Sequence, residues 1–222
     1  MRARMTCLFR KVAAPRAALL VLVGAIAAAH TQAASELTNA LRERGDAVRG
    51  EGLYATCIAC HRADGGGIGD GTVPAIGGQP ARVIVKQLAD FRREQRIDVR
   101  MEHFADEQHL GGPQDLADVA AYVASLVRIV QPGFGDGTRV RQGAMAYFRS
   151  CEGCHGPRGK ADSERLMLAL AGQHYGYLER QLRDAAAGRR RSLDAEHRQL
   201  LRSISDADID GIADYLARSG LR

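Results

Sequence analysis

Cys57-Ile58-Ala59-Cys60-His61 returns 94 residues later as Cys151-Glu152-Gly153-Cys154-His155, and these two pentapeptides decide how the rest of the chain is read. In CxxCH, two thiols can add across the vinyl groups of a haem while the adjacent imidazole binds the iron. A CxxC pair without the histidine reads better as half of a zinc site or as a dithiol redox pair. Zinc wants four ligands, and no other cysteine stands near either pair. A thioredoxin-like pair wants a βαβ pattern around it, and none is present. Each pentapeptide is therefore a covalent haem site: Cys57 and Cys60 attach one haem c, Cys151 and Cys154 a second, and His61 and His155 bind the two irons.

Self-comparison extends the repeat. At the same offset Gly65 meets Gly159, Gly78-Gln79 meets Gly172-Gln173, and Gln87-Leu88-Ala89-Asp90 meets Gln181-Leu182-Arg183-Asp184. His103 meets His197 without a gap, after which the offset slips by one and Tyr122 faces Tyr215. The chain thus reads as a duplication of one small domain. Gln131-Pro132-Gly133-Phe134-Gly135-Asp136-Gly137 has linker composition. The expected domains are residues 34–130 and 131–222.

Residues 1–33 carry Arg2, Arg4, Arg10, Lys11 and Arg16, then the apolar run Ala17 to Ala29, then Thr31-Gln32-Ala33. This is the pattern of a secretory signal peptide, cleaved near Ala33, with an uncleaved anchor as the alternative. Cys7 precedes the apolar run and leaves with the peptide. The five basic residues of this segment account for the whole formal charge of +5, so the mature chain is neutral. Its surface lacks the basic excess that nucleic acid requires, and no stable membrane span is expected in it. The halves carry opposite charge, 11 basic against 14 acidic residues in 34–130 and 15 against 12 in 131–222, a dipole that can orient encounter with a charged partner. The four remaining cysteines all lie in the two motifs, so none is left for a disulfide. With 5% aromatic residues and no Trp, the interior suits domains built around a large flat cofactor.

Apolar periodicity predicts helices joined by Gly-rich loops, with no alternating strand. A helix leads into each CxxCH, bearing Tyr54 or Phe148. Others are expected roughly over 81–94 and 175–187, and a last pair over 115–127 and 206–217. Leu116, Val119, Ala120, Val123 and Leu126 form one helical face, and Ser205 with Asp208 starts the last helix as a capping box.

Helix, CxxCH, Gly-Gln loop, QLxDF helix, ligand loop and terminal AAY helix, taken twice over about residues 35–220, resemble the di-haem class I cytochromes c, of the c-four kind. The resemblance implies an all-α protein of two tandem class I cytochrome c domains related by duplication, packed about a pseudo-twofold axis, and acting as a periplasmic electron carrier. The family places a methionine in the ligand loop as the sixth iron ligand, and Met101, fourteen residues after Gln87, matches that position. In the second half the gapless equivalent is Ala195, and Met167 follows His155 by only twelve residues. His197 is the candidate there, 42 residues beyond His155 as His103 is beyond His61. The first iron therefore has Met101 or His103 as its sixth ligand, with His109 a further alternative, and the second has His197 or an open face. His174, just after Gly172-Gln173, reads as structural.

Two functions follow. The first is an electron carrier without catalysis of its own, linking a periplasmic dehydrogenase or quinol-oxidising complex to a terminal oxidase or reductase; no nucleophile elbow, phosphate loop or paired carboxylate set accompanies the haem motifs. The second is a haem enzyme, or the electron-accepting subunit of a periplasmic oxidoreductase such as a sulfur-compound dehydrogenase or a peroxidase. An open iron would bind carbon monoxide or cyanide readily, which separates the two.

Overall fold

The computed structural model describes residues 36–128 and 132–220; the expected signal segment and the boundary at 130/131 lie outside the described residues. Residues 36–40 are helical (α1), followed by α2 (Ala47–Tyr54), α3 (Ile58–His61), α4 (Ala81–Arg92), α5 (Val99–Phe104) and α6 (Pro113–Ser125). The second half repeats the series with α7 (Val140–Ser150), α8 (Glu152–His155), α9 (Tyr175–Ala186), α10 (Ala195–Ser203) and α11 (Asp206–Arg218). Among the described residues there is no strand, only the isolated antiparallel bridges Arg96 to Arg190 and Asp162 to Met167. A side-chain cap or a first-turn proline marks several of the helix starts. Asp46 accepts from the Val48 and Arg49 amides at the head of α2, Pro113 sits at the start of α6 where its missing N–H costs nothing, and Ser205 accepts from the Asp208 amide at 3.1 Å. The short helices α5 and α10, each capped by an aspartate, are not legible from periodicity because six to nine residues hold too little of it.

In each half the helix before CxxCH crosses the last helix, α2 on α6 and α7 on α11. Leu116, Val119, Ala120 and Val123 are buried in the first core, and Ile212, Ala213, Leu216 and Ala217 in the second. Glycines set the crossing distance. A Cβ on Gly50 would stand 2.0 Å from the Asp118 carbonyl oxygen, and one on Gly143 1.9 Å from that of Gly211. Beside each crossing two tyrosines meet, Tyr54 with Tyr122 at 5.2 Å between ring centroids and Tyr147 with Tyr215 at 5.5 Å. The counterpart of Tyr54 is therefore Tyr147 and not Phe148, which is 60% exposed. One extra residue stands between the tyrosine and the motif in the second half, which turns Phe148 to the surface.

Two neighbouring glycines of α2 separate crossing geometry from helix propensity. Gly50→Ala is expected to lower the urea midpoint of the haem-loaded protein, at a cost of about 1–3 kcal/mol, because the added methyl must push the two helix backbones apart. Gly52 has nothing within 4 Å of where its Cβ would be, so Gly52→Ala should raise the midpoint by roughly 0.5–1 kcal/mol through propensity alone. Equal shifts in the two variants would refute the close crossing.

The halves are joined by paired hydrogen bonds. Gln79 of the first half donates to the Ala169 carbonyl and accepts from the Ala169 amide, both at 2.9 Å. Gln173 of the second half does the same to Ala75, donating at 2.7 Å and accepting at 3.0 Å. Gln79 matches Gln173 and Ala75 matches Ala169 at the repeat offset, so the two clasps are related by the pseudo-twofold axis. The Gly-Gln motif of the sequence is thus an inter-half clasp. Buried His174 adds to it: the Gly133 amide donates to its Nδ1 at 3.3 Å, so its Nε2 carries the proton and donates to the Gly66 carbonyl at 2.8 Å. His174 is structural, as expected.

Candidate functional site

The two pentapeptides fold alike. In each, the histidine amide donates to the carbonyl of the first cysteine at 2.9 Å, His61 to Cys57 and His155 to Cys151. The next residue turns the chain at positive φ, Arg62 at 66° and Gly156 at 67°. The buried tyrosine of the preceding helix pins that turn, Tyr54 Oη donating to the Arg62 carbonyl at 2.8 Å and Tyr147 Oη to that of Gly156 at 2.7 Å. Each motif thereby presents two free thiols and a histidine on one rigid turn.

At the first motif they open on a cleft of about 290 Å³, near the lower end of the roughly 300–1,000 Å³ of ordinary small-ligand pockets. Apolar walls come from residues such as Val73, Ile84, Leu88, Phe91 and Val123. His61 is buried, which lowers its pKa and keeps the imidazole neutral. Its Nδ1 lies 3.1 Å from the Pro74 carbonyl; donation there leaves Nε2 as the free lone pair. Met101 lines the same cleft. Neither His103 nor His109 is among its lining residues: the His103 side chain is 60% exposed and turns with His109 toward Asp106.

At the second motif the His155 Nδ1 is buried without a partner among the described residues. Burial, then the neighbouring His197 and Arg165, pushes the His155 pKa down to about 4. His197 faces it, with ring centroids 5.9 Å apart and planes at 51°. That spacing leaves room for one metal ion bound on both faces, because two metal–imidazole bonds together span roughly 4 Å between nitrogens.

Capping aligns the two ligand loops differently from the gapless count. Asp98 caps α5 by accepting from the Met101 amide, and Asp194 caps α10 by accepting from the His197 amide at 2.7 Å. Met101 and His197 are each third after the cap, so His197 stands where Met101 stands, not where His103 does. Arg96 and Arg190 still pair at the original offset; two extra residues fall between Arg190 and Asp194 and shift the register.

Those two arginines belong to the site although neither stands in a recognisable motif; their one signal in the sequence is that both sit at the repeat offset. Each lines the cleft, and neither has a carboxylate within ion-pair distance among the described residues. Arg96 is buried, donates to Gln87 at 2.7 Å and Gln181 at 2.8 Å, and also contacts the Tyr177 hydroxyl. Its guanidinium lies over the Phe91 ring, 4.7 Å from the centroid. The Phe91 counterpart is Ala185, so Arg190 lacks such support, its Nε is buried unpartnered, and burial with the nearby Arg96 draws its pKa down to about 10. Buried cations of this kind are costly unless an anion joins them. Thiols, neutral imidazole, thioether, apolar walls and two cations awaiting an anion together fit a haem with its thioether links, axial ligands and propionates.

Comparison with known proteins agrees. The family model for cytochrome c matches twice, at residues 47–127 and 140–219. Cytochrome c4 of Pseudomonas aeruginosa is 33% identical over 192 residues, covering 81% of this chain and 92% of that protein. The crystal structure of reduced recombinant cytochrome c4 from Pseudomonas stutzeri superposes with a TM-score of 0.69 at 31% identity, covering 78% of this chain and 98% of that one. A thiosulfate dehydrogenase electron acceptor from Stutzerimonas stutzeri is 29% identical over 171 residues, covering 74% of this chain and 79% of that protein. The chain belongs to the cytochrome c family, as a c4-like electron-transfer cytochrome with two tandem all-α domains and two covalently bound haem c groups.

Proposed function

We propose that the chain is exported by removal of residues 1–33, folds as domains 34–130 and 131–222, and carries electrons in the periplasm between a periplasmic or membrane-bound donor and a terminal acceptor. No helix among the described residues is long and apolar enough to cross a membrane. The observation that carries the reading is the shared wall of the first cleft. Leu168, Ala169 and Tyr177 of the second half close the cleft that holds Cys57, Cys60 and His61, so the first redox site is completed by the half that carries the second. We assign His61 and Met101 to the first iron, on the place of Met101 in the cleft, and His155 and His197 to the second, on their facing rings. Each haem supplies one-electron exchange when bound; the protein holds, insulates and tunes it.

The Cys57→Ala/Cys60→Ala double variant should retain one covalent haem per chain where the wild type has two, read by haem stain and pyridine haemochrome. An unchanged haem content would overturn the attachment sites. Rapid oxidation of the reduced wild type by membranes containing a terminal oxidase is the expected carrier activity, and no electron transfer to any such acceptor would sink the reading.

A second reading is favoured by the two relatives named thiosulfate dehydrogenase electron acceptor, at 29% and 30% identity. It makes the chain the acceptor for a sulfur-compound dehydrogenase. Mixing the oxidised protein with a thiosulfate dehydrogenase and thiosulfate tests it: reduction of both haems within turnover time supports this role, and no reduction removes it.

A further inference from the structure

We propose that His103, Asp106 and His109 form a binding site for a late first-row divalent ion, Zn²⁺ or Cu²⁺, on the segment that carries Met101. Nothing in the electron-transfer reading uses these three side chains. One ligand atom from each lies within 4.8 Å of the others. The His109 Nδ1 is 2.8 Å and the His103 Nδ1 3.7 Å from the Asp106 carboxylate, and the two rings meet at 4.5 Å between centroids. A tetrahedral ion with bonds of about 2.0–2.2 Å holds its ligands roughly 3.3 Å apart, so only a small inward rotation is needed, chiefly of the exposed His103 side chain.

The cluster is also held in place. Asp106 accepts from the amides of Gln108 at 2.9 Å and His109 at 3.1 Å, which fixes the carboxylate. The Phe104 ring packs against both imidazoles, at 5.1 and 5.5 Å. Positions 103, 106 and 109 come at three-residue intervals, so no long-range closure is needed to bring them together. Two imidazoles and one carboxylate suit Zn²⁺ or Cu²⁺ and disfavour Ca²⁺ and Mg²⁺, which take oxygen ligands. The remaining histidines of the described residues are otherwise engaged: His61, His155 and His197 at the haem sites, and His174 buried between Gly133 and Gly66. An ion here would tie the end of α5 to residues 106–109, two residues from Met101.

The test uses the untagged, haem-loaded protein after chelator treatment. Calorimetric titration with Zn²⁺ should give one saturable site per chain, with affinity reduced at least tenfold in His103→Ala and in His109→Ala. Cu²⁺ added in substoichiometric amount should show electron-spin resonance coupling to two nitrogens in the wild type and to one in either variant. Haem absorption and helical content should be unchanged in both variants. No saturable binding by the wild type, or binding that survives both substitutions, would overturn the proposal. So would a high-spin first haem in His103→Ala, which would make that histidine an iron ligand.

Discussion

His197→Ala is expected to turn the second haem from low-spin to high-spin and to open it to carbon monoxide. The residue faces His155 across 5.9 Å, its amide is fixed by Asp194, and in the capping register it takes the place that Met101 has in the first half. Alanine offers no donor, and a six-coordinate low-spin iron needs a strong field on both faces. The first haem should keep its spectrum, since its ligands belong to other helices. An unaltered spin state would mean that another group, or none, binds that face in the wild type. His197→Met is the informative companion. If position sets the ligand and residue type sets the potential, the second haem should stay low-spin while its potential rises, because thioether sulfur favours ferrous iron and imidazole ferric. With Met101 on the first iron and His197 on the second, the second haem should be the more reducing in the wild type, and potentiometric titration should resolve two waves.

Gln79→Ala and Gln173→Ala should each cost about 2–4 kcal/mol in urea unfolding. Gln173→Ala leaves the Ala75 N–H and C=O without their clasp partner, and Gln79→Ala leaves the Ala169 N–H without one while its C=O keeps only the 3.5 Å contact of Arg128; a buried group stripped of its partner costs roughly 1–3 kcal/mol. The glutamines are 2% and 5% exposed, so water cannot readily replace them. Gln79→Glu should be as damaging, because a carboxylate can accept from the Ala169 amide but cannot donate to its carbonyl. The clasps serve one interface, so the double variant should cost less than the two singles together if breaking one already loosens the other. Singles within about 0.5 kcal/mol of the wild type would mean that the halves are held by other contacts.

What the sequence by itself determined is the chemistry and the order of elements. CxxCH is a local covalent requirement, its repetition at a constant offset reveals the duplication, and the apolar face of Leu116, Val119, Ala120 and Val123 is a helical period that can be counted along the chain. The charges and apolar run of residues 1–33 are likewise local. Tertiary structure alone decided which residues of the two halves correspond and what the repeated motifs do. Tyr147 rather than Phe148 is buried because of a one-residue difference before the motif, and His197 rather than Ala195 replaces Met101 because of two residues before Asp194. Insertions leave the composition untouched but rotate or shift every side chain beyond them, and only the capping bonds and ring contacts reveal the resulting register. Gln79, Gln173, Arg96 and Arg190 are visible as repeats, yet their partners lie in the opposite half, about 80 to 100 residues away. No local pattern encodes a hydrogen bond made across that distance; it exists only once two folded halves meet.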